Sequence, residues 1–238
     1  MARLARVVSV DTPHHVTQRG NARQLVFESD ADRLVYLDLL RNQCRLQRLS
    51  VVGYCLMSNH VHLVVIPRRP ESLPLALKHT HARYAAYFNA RHASSGHVWQ
   101  GRYYSCPLDP PHLWAALRYT ELNPVRARMV EDPAAYRWSS ATAHCGGAPD
   151  PVLDMQPFTD VWQPAQWREH LGQTGVQEEA EAIRKNTHTG RPLGADEFVQ
   201  ALERTLRRTL APQRGGRLPK EQGEENRQCL LFGANVTG

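Results

Sequence analysis

Short runs of β-forming residues and longer runs with helical spacing alternate through the first half of the chain. His14-His15-Val16-Thr17-Gln18-Arg19 reads as a strand closed by the turn signal Gly20-Asn21. Ser29-Asp30-Ala31-Asp32 carries capping side chains ahead of Leu34, Leu37, Leu40 and Cys44, whose spacing predicts a helix with one buried face. Ser50 to Met57 and His60 to Ile66 are both rich in β-formers and are separated only by Ser58-Asn59, which predicts a hairpin with His60 at the start of its second strand. Ser72 and Pro74 open a second helix that keeps Leu73, Leu77, Tyr84 and Phe88 on one side, and a further strand is expected around Gly101 to Pro107. The order β-α-β-β-α-β predicts an α+β fold, a ferredoxin-like antiparallel sheet with helices on one face. Alternation then puts Val61, Leu63 and Val65 under the helices and turns His60 and His62 to the other face, which stays available.

Asp109-Pro110 pairs an N-cap with proline at the first helical position, so a third helix should run to about Asn123, where Pro124 interrupts it. The first unit is therefore placed at 1–146. A Pro-rich linker or extended wrap follows at 147–165, then a helical C-terminal extension at 166–210 with Phe198, Leu202, Leu206 and Leu210 at four-residue spacing. Residues 211–238 are rich in Pro, Gly and charge and are expected to be a disordered tail.

Composition narrows the function classes. The chain has 238 residues, of which 42% are hydrophobic, enough for a substantial core. No stretch approaches the roughly 18 apolar residues of a membrane span, and Met1-Ala2-Arg3-Leu4-Ala5-Arg6 lacks the apolar core of a signal peptide, so a cytoplasmic protein with no membrane partner is expected. Five scattered cysteines argue against a secreted disulfide framework. The net charge of +6, carried mainly by arginine, suits a polyanion equally with a merely basic enzyme.

The candidate chemistry begins at His60-Val61-His62. On a strand, residues two apart share a face, so both imidazoles can reach one metal ion. Spacing alone is weak, because 12 histidines in a chain of this length give roughly 0.6 such pairs by chance. His79-Thr80-His81 has the same spacing within a helical stretch, where two positions turn the rings about 200° apart. In the third helix Tyr119 and Asn123 stand one turn apart, on a face away from Leu113 and Leu117. Two neutral imidazoles and one amide oxygen would leave a divalent ion its full charge and several open positions, which suits a phosphodiester substrate. The phenol is then the natural nucleophile, with a covalent phosphotyrosine as its product. Trp99 and Arg102, with Tyr103 and Tyr104, are candidates for stacking bases and holding phosphates, the alternative for the aromatics being ordinary core positions of a strand. Arg19, Asn21 and Arg126 are positioned to line the same cleft. A metal-dependent hydrolase using water and a nucleic-acid-binding regulator without nuclease activity are the alternative classes.

Three blocks in order carry a family resemblance: Tyr54-Cys55-Leu56-Met57-Ser58-Asn59-His60-Val61-His62-Leu63-Val64-Val65, Trp99-Gln100-Gly101-Arg102-Tyr103, and Tyr119-Thr120-Glu121-Leu122-Asn123-Pro124-Val125-Arg126-Ala127. From about His14 to His144 the chain resembles the single-tyrosine HUH transposases, and within them the REP-associated tyrosine transposases. The resemblance implies an HUH nuclease fold, Mg²⁺ or Mn²⁺ dependence, and cleavage of single-stranded DNA beside palindromic hairpins through a 5′-phosphotyrosine link. By matching positions it implies His60, His62 and Asn123 as metal ligands and Tyr119 as the catalytic nucleophile. It implies DNA as partner and a monomer or homodimer. Thr189-Gly190-Arg191-Pro192-Leu193-Gly194 is similar to the C-terminal extension of longer members, either a helix-turn-helix-like element or a packing extension.

Overall fold

His14–Arg19 (β1), Leu49–Met57 (β2), His60–Pro67 (β3) and Tyr104–Pro107 (β4) pair antiparallel in the order β2-β3-β1-β4. This is the split-βαβ order expected of the ferredoxin-like arrangement. The computed structural model describes residues 6–173 and 177–210, so the tail 211–238 lies outside the described residues. The last strand is shorter than the sequence pattern suggests. Gly101 takes φ +75°, a left-handed turn that keeps residues 101–103 out of the ladder.

Asp30–Gln47 (α1) and Ser72–Arg91 (α2) cover one face of the sheet. Ser29 and Asp32 form a capping box at the start of α1, an arrangement worth about 1 kcal/mol. The buried stripe of α1 runs through Tyr36, Leu40 and Cys44, while Leu34, expected inside, is 52% exposed. Tyr36 takes the central place because its ring packs among Phe27, Tyr84 and Trp99. Val61, Leu63 and Val65 join this cluster with Leu73, Leu77, Tyr84 and Phe88, as their spacing predicts.

The opposite face is not bare along its whole length. Pro110–Glu121 (α3) sets Leu113, Ala116 and Leu117 against Val52, Val64, Ile66 and Cys106, away from the His60 end of the sheet. Full burial of Leu117 is worth roughly 2 kcal/mol. α3 approaches so closely that a Cβ at Gly53 would stand 2.1 Å from Leu117 Cδ1. Pro124 does not end the helical path at Asn123. Leu122 departs from helical geometry, and a further turn, Asn123–Arg126 (α4), begins with Pro124 near its start, where the missing N–H is harmless.

After Ala141–His144 (α5), the Pro-rich stretch runs against the sheet. Asp154 N–H donates to the Val51 carbonyl at 2.8 Å, the Tyr54 hydroxyl donates to Asp150 at 2.5 Å, and Phe158 of Gln156–Thr159 (α6) is buried. Together with Leu56 N–H donating to the Trp138 carbonyl, these bonds cover the free edge of β2. Pro164–Gly172 (α7) inserts Trp167 into the second core, and Gln177–Thr189 (α8) packs along β4 and α3. Asp196–Leu206 (α9) folds its stripe of Phe198, Leu202 and Leu206 onto Val7 and Leu210. The turn between α8 and α9 docks on the sheet: Leu193 N–H donates to the Pro107 carbonyl at 2.9 Å, and Ala195 N–H donates to the α3 cap Asp109 at 2.9 Å. Among the described residues no helix is long and apolar enough to cross a membrane.

Candidate active site

The register of the central strands decides which side chains meet. His60 and His62 on β3 lie opposite Arg19 and Thr17 on β1, and Thr17 in turn faces Tyr104 on β4. Cross-strand partners share a face, so His15, Thr17 and Arg19 line up beside the two histidines. The C-terminal half of α3 then brings Tyr119, and α4 brings Asn123, over this row. His60, His62, Tyr119 and Asn123 all line one cavity of about 500 Å³. The His60 and His62 rings are 4.9 Å apart and nearly perpendicular, and the Tyr119 ring is 5.5 Å from His62.

Hydrogen bonds leave candidate donor atoms of His60 and Asn123 uncommitted. His60 Nδ1–H donates to Asn59 Oδ1 at 2.6 Å, which puts the Nε2 lone pair elsewhere. Asn59 in turn donates to the Arg23 carbonyl at 3.2 Å, so the hairpin turn orients the ring. The Asn123 amide NH₂ donates to the carbonyls of Tyr119 and Thr120 at 3.1 and 3.2 Å, leaving its Oδ1 unused. Burial holds both imidazoles neutral: His60 falls to about 4, and His62 lies well below the ordinary value of 6.5 through desolvation, with smaller contributions from its charged neighbours. Two neutral imidazoles and an amide oxygen are a donor set that could hold a divalent ion. Among the described residues there is no group of three His, Cys, Asp or Glu suited to a metal, so any third donor must be of another type.

The cavity is electropositive. Arg19, Arg23 and Arg184 line it, with no carboxylate among the lining residues. Tyr119 is 5% exposed and flanked by two guanidinium groups: Arg126 sits 4.3 Å from its ring centroid and donates to its carbonyl, while Arg184 Nε donates to its hydroxyl at 3.3 Å. A larger cavity of about 670 Å³ lies on the α1 side between Leu37, Tyr54 and Trp138, but it gathers no imidazoles. Convergent chemistry, rather than volume, marks the site.

Residues 9–123 match the family of IS200-like transposases. The matched segment contains both histidines, the tyrosine and the asparagine. The solved structure of a REP-associated tyrosine transposase bound to a REP hairpin is similar in fold, at 14% identity and a TM-score of 0.52 over 63% of this chain and 89% of that one. A Deinococcus radiodurans R1 protein assigned as a transposase matches at 16% identity over 54% of this chain and 92% of that one, with a TM-score of 0.35. No curated protein matches the chain.

The sequence-derived DNA contacts separate into groups. Arg19 lines the cavity of the matched segment and Arg126 covers the Tyr119 ring, whereas Asn21 and Arg102 are exposed beyond the cavity lining. Trp99 does not offer a stacking face. It is 7% exposed, packs against His81 and Tyr84, and donates its indole N–H to the His81 carbonyl at 3.0 Å. Tyr103 is likewise buried, and Tyr104 is the aromatic of this block that reaches the cavity, stacked on His188 at 4.9 Å. Sequence reasoning missed His15, Arg184 and Thr187. The alternation His15-x-Thr17-x-Arg19 was a usable signal for the first; no local signal ties the other two, on α8, to Tyr119.

Proposed function

We propose that this chain is a metal-dependent single-stranded DNA endonuclease and strand transferase that cuts beside palindromic hairpins, with Tyr119 as nucleophile and His60, His62 and Asn123 as ligands. The observation that supports it best is the Tyr119 phenol lining the same carboxylate-free, arginine-lined cavity as His60, His62 and Asn123. In this reading residues 1–146 carry the catalytic set, and α8 of the C-terminal extension lines the cavity beside it.

Arg19 and Arg23 attract and orient the DNA backbone, since guanidinium groups pair with phosphate oxygens. The Tyr119 oxygen attacks phosphorus: a Tyr–O–P bond forms as the P–O3′ bond breaks, the phenolic proton is passed on, and the departing 3′ oxygen gains one. Arg184 and Arg126 stabilise negative charge as it develops on and around the phenol oxygen. A Mg²⁺ or Mn²⁺ ion held by His60, His62 and Asn123 would supply charge stabilisation to the phosphate oxygens. The 5′-phosphotyrosine keeps the number of phosphodiester bonds unchanged, so attack by a DNA hydroxyl rejoins strands without a nucleotide cofactor.

The test is cleavage of hairpin-bearing single-stranded DNA with Mn²⁺ or Mg²⁺ by wild type and Tyr119→Phe. Cleavage lost in the variant supports the reading. Cleavage retained would assign water as nucleophile, and DNA binding without cleavage by wild type would assign a regulator.

A further inference from the structure

A chain of buried hydrogen bonds runs from His62 out of the matched segment and into α8. His62 Nδ1 lies 3.1 Å from His15 Nε2, His15 Nδ1 lies 2.7 Å from Thr187 Oγ1, and Thr187 Oγ1 lies 3.3 Å from Cys106 Sγ. All four side chains are almost fully buried, at 6, 1, 2 and 0% exposure in that order. A neutral imidazole carries one proton on either of its two nitrogens, so the partners of each ring decide its tautomer.

The protons of this chain can point in only two concerted directions. In the first, His62 Nδ1–H donates to His15 Nε2 and His15 Nδ1–H donates to Thr187 Oγ1, so the His62 Nε2 lone pair remains. In the second, Thr187 donates to His15 Nδ1 and His15 Nε2–H donates to His62 Nδ1. The His62 proton then sits on Nε2, which can no longer act as a ligand. The first direction exists only while Thr187 supplies an acceptor for the His15 N–H.

The geometry points to Thr187 and His15 as positioning residues that hold His62 in its ligand-competent tautomer, so that the C-terminal helix α8 controls the affinity of the site for a divalent ion. This inference rests on the reading of His62 as a ligand. Thr187→Val removes the acceptor with little change of shape and leaves the first direction with a buried orphan N–H, which proteins rarely tolerate. The second direction leaves only an unfilled lone pair, so the variant shifts the His62 proton to Nε2.

Two measurements on the full chain test this. Titration with Mn²⁺ alone should show a Kd raised about tenfold to a hundredfold in Thr187→Val, the range for losing the partner of a metal-ligating histidine, and Thr187→Ser should restore it. In the metal-free protein, ¹⁵N imidazole spectra should place the His62 proton on Nδ1 in wild type and shift it toward Nε2 in Thr187→Val. A folded Thr187→Val with wild-type Mn²⁺ affinity and an unchanged His62 tautomer overturns the proposal. Failure of the ligand reading looks different: His62→Ala would then bind Mn²⁺ as wild type does, while the spectra would still report whether the relay sets the tautomer.

Discussion

Acidification from about pH 7.5 to 5 should remove most of the folding stability of this protein through histidines that are buried neutral. Desolvation brings His14 and His60 down to about 4 and His15 and His81 to about 3, against 6.5 in the unfolded chain. The folded values are depressed, so protons bind the unfolded chain first, and stability present above 6.5 is lost as pH falls toward about 4. Each ring contributes a slope of about 1.4 kcal/mol per pH unit in that window, or about 2 kcal/mol by pH 5. Four rings together lose roughly 8 kcal/mol, comparable with the whole stability of a typical domain, and His62 adds to the same trend. Urea unfolding followed by tryptophan fluorescence at several pH values would measure the slope. His81 lies outside the cavity and accepts from or donates to the Tyr36 hydroxyl at 3.1 Å, a bond that Gln can replace. His81→Gln should therefore reduce proton uptake on unfolding by about one. Stability that stays flat down to pH 5, or a slope that His81→Gln leaves unchanged, would show that these rings are not held neutral by burial.

Arg184→Met should lower the rate of strand cleavage about tenfold to a hundredfold, the equivalent of one charged hydrogen bond, with the protein folded; an unchanged single-turnover rate would remove Arg184 from the chemistry. Trp99→Phe should lower stability by about 1–3 kcal/mol through the lost bond to the His81 carbonyl and leave single-stranded DNA affinity unchanged. Weakened DNA binding at full stability would return Trp99 to base stacking.

Local chemistry made much of this architecture readable. The Ser29 cap, the Asp109-Pro110 start of α3 and the Ser58-Asn59 turn each act within a few residues, and each element begins where those residues stand. The gathering of His60, His62, Tyr119 and Asn123 into one cavity followed from two local facts, the period of a strand and the turn of a helix. What stayed hidden was nonlocal. His15 reaches His62 only because of the β1–β3 register, and Thr187 arrives from a helix 172 positions further along the chain. Leu34 was misjudged, and Trp99 left undecided, for the opposite reason. Helical spacing favoured Leu34 for the core, and an arginine neighbour made Trp99 a candidate for base stacking beside a core reading, yet the packing of Tyr36, Tyr84 and His81 settled both.

On the proposed reading Tyr119 becomes covalently joined to DNA. Wild-type protein incubated with Mn²⁺ and a 5′-extended hairpin of single-stranded DNA should yield a denaturation-resistant adduct, and mass spectrometry of the digested adduct should place the 5′-phosphate on Tyr119. Phosphate on any other residue, or an adduct that persists in Tyr119→Phe, would exclude Tyr119 as the nucleophile.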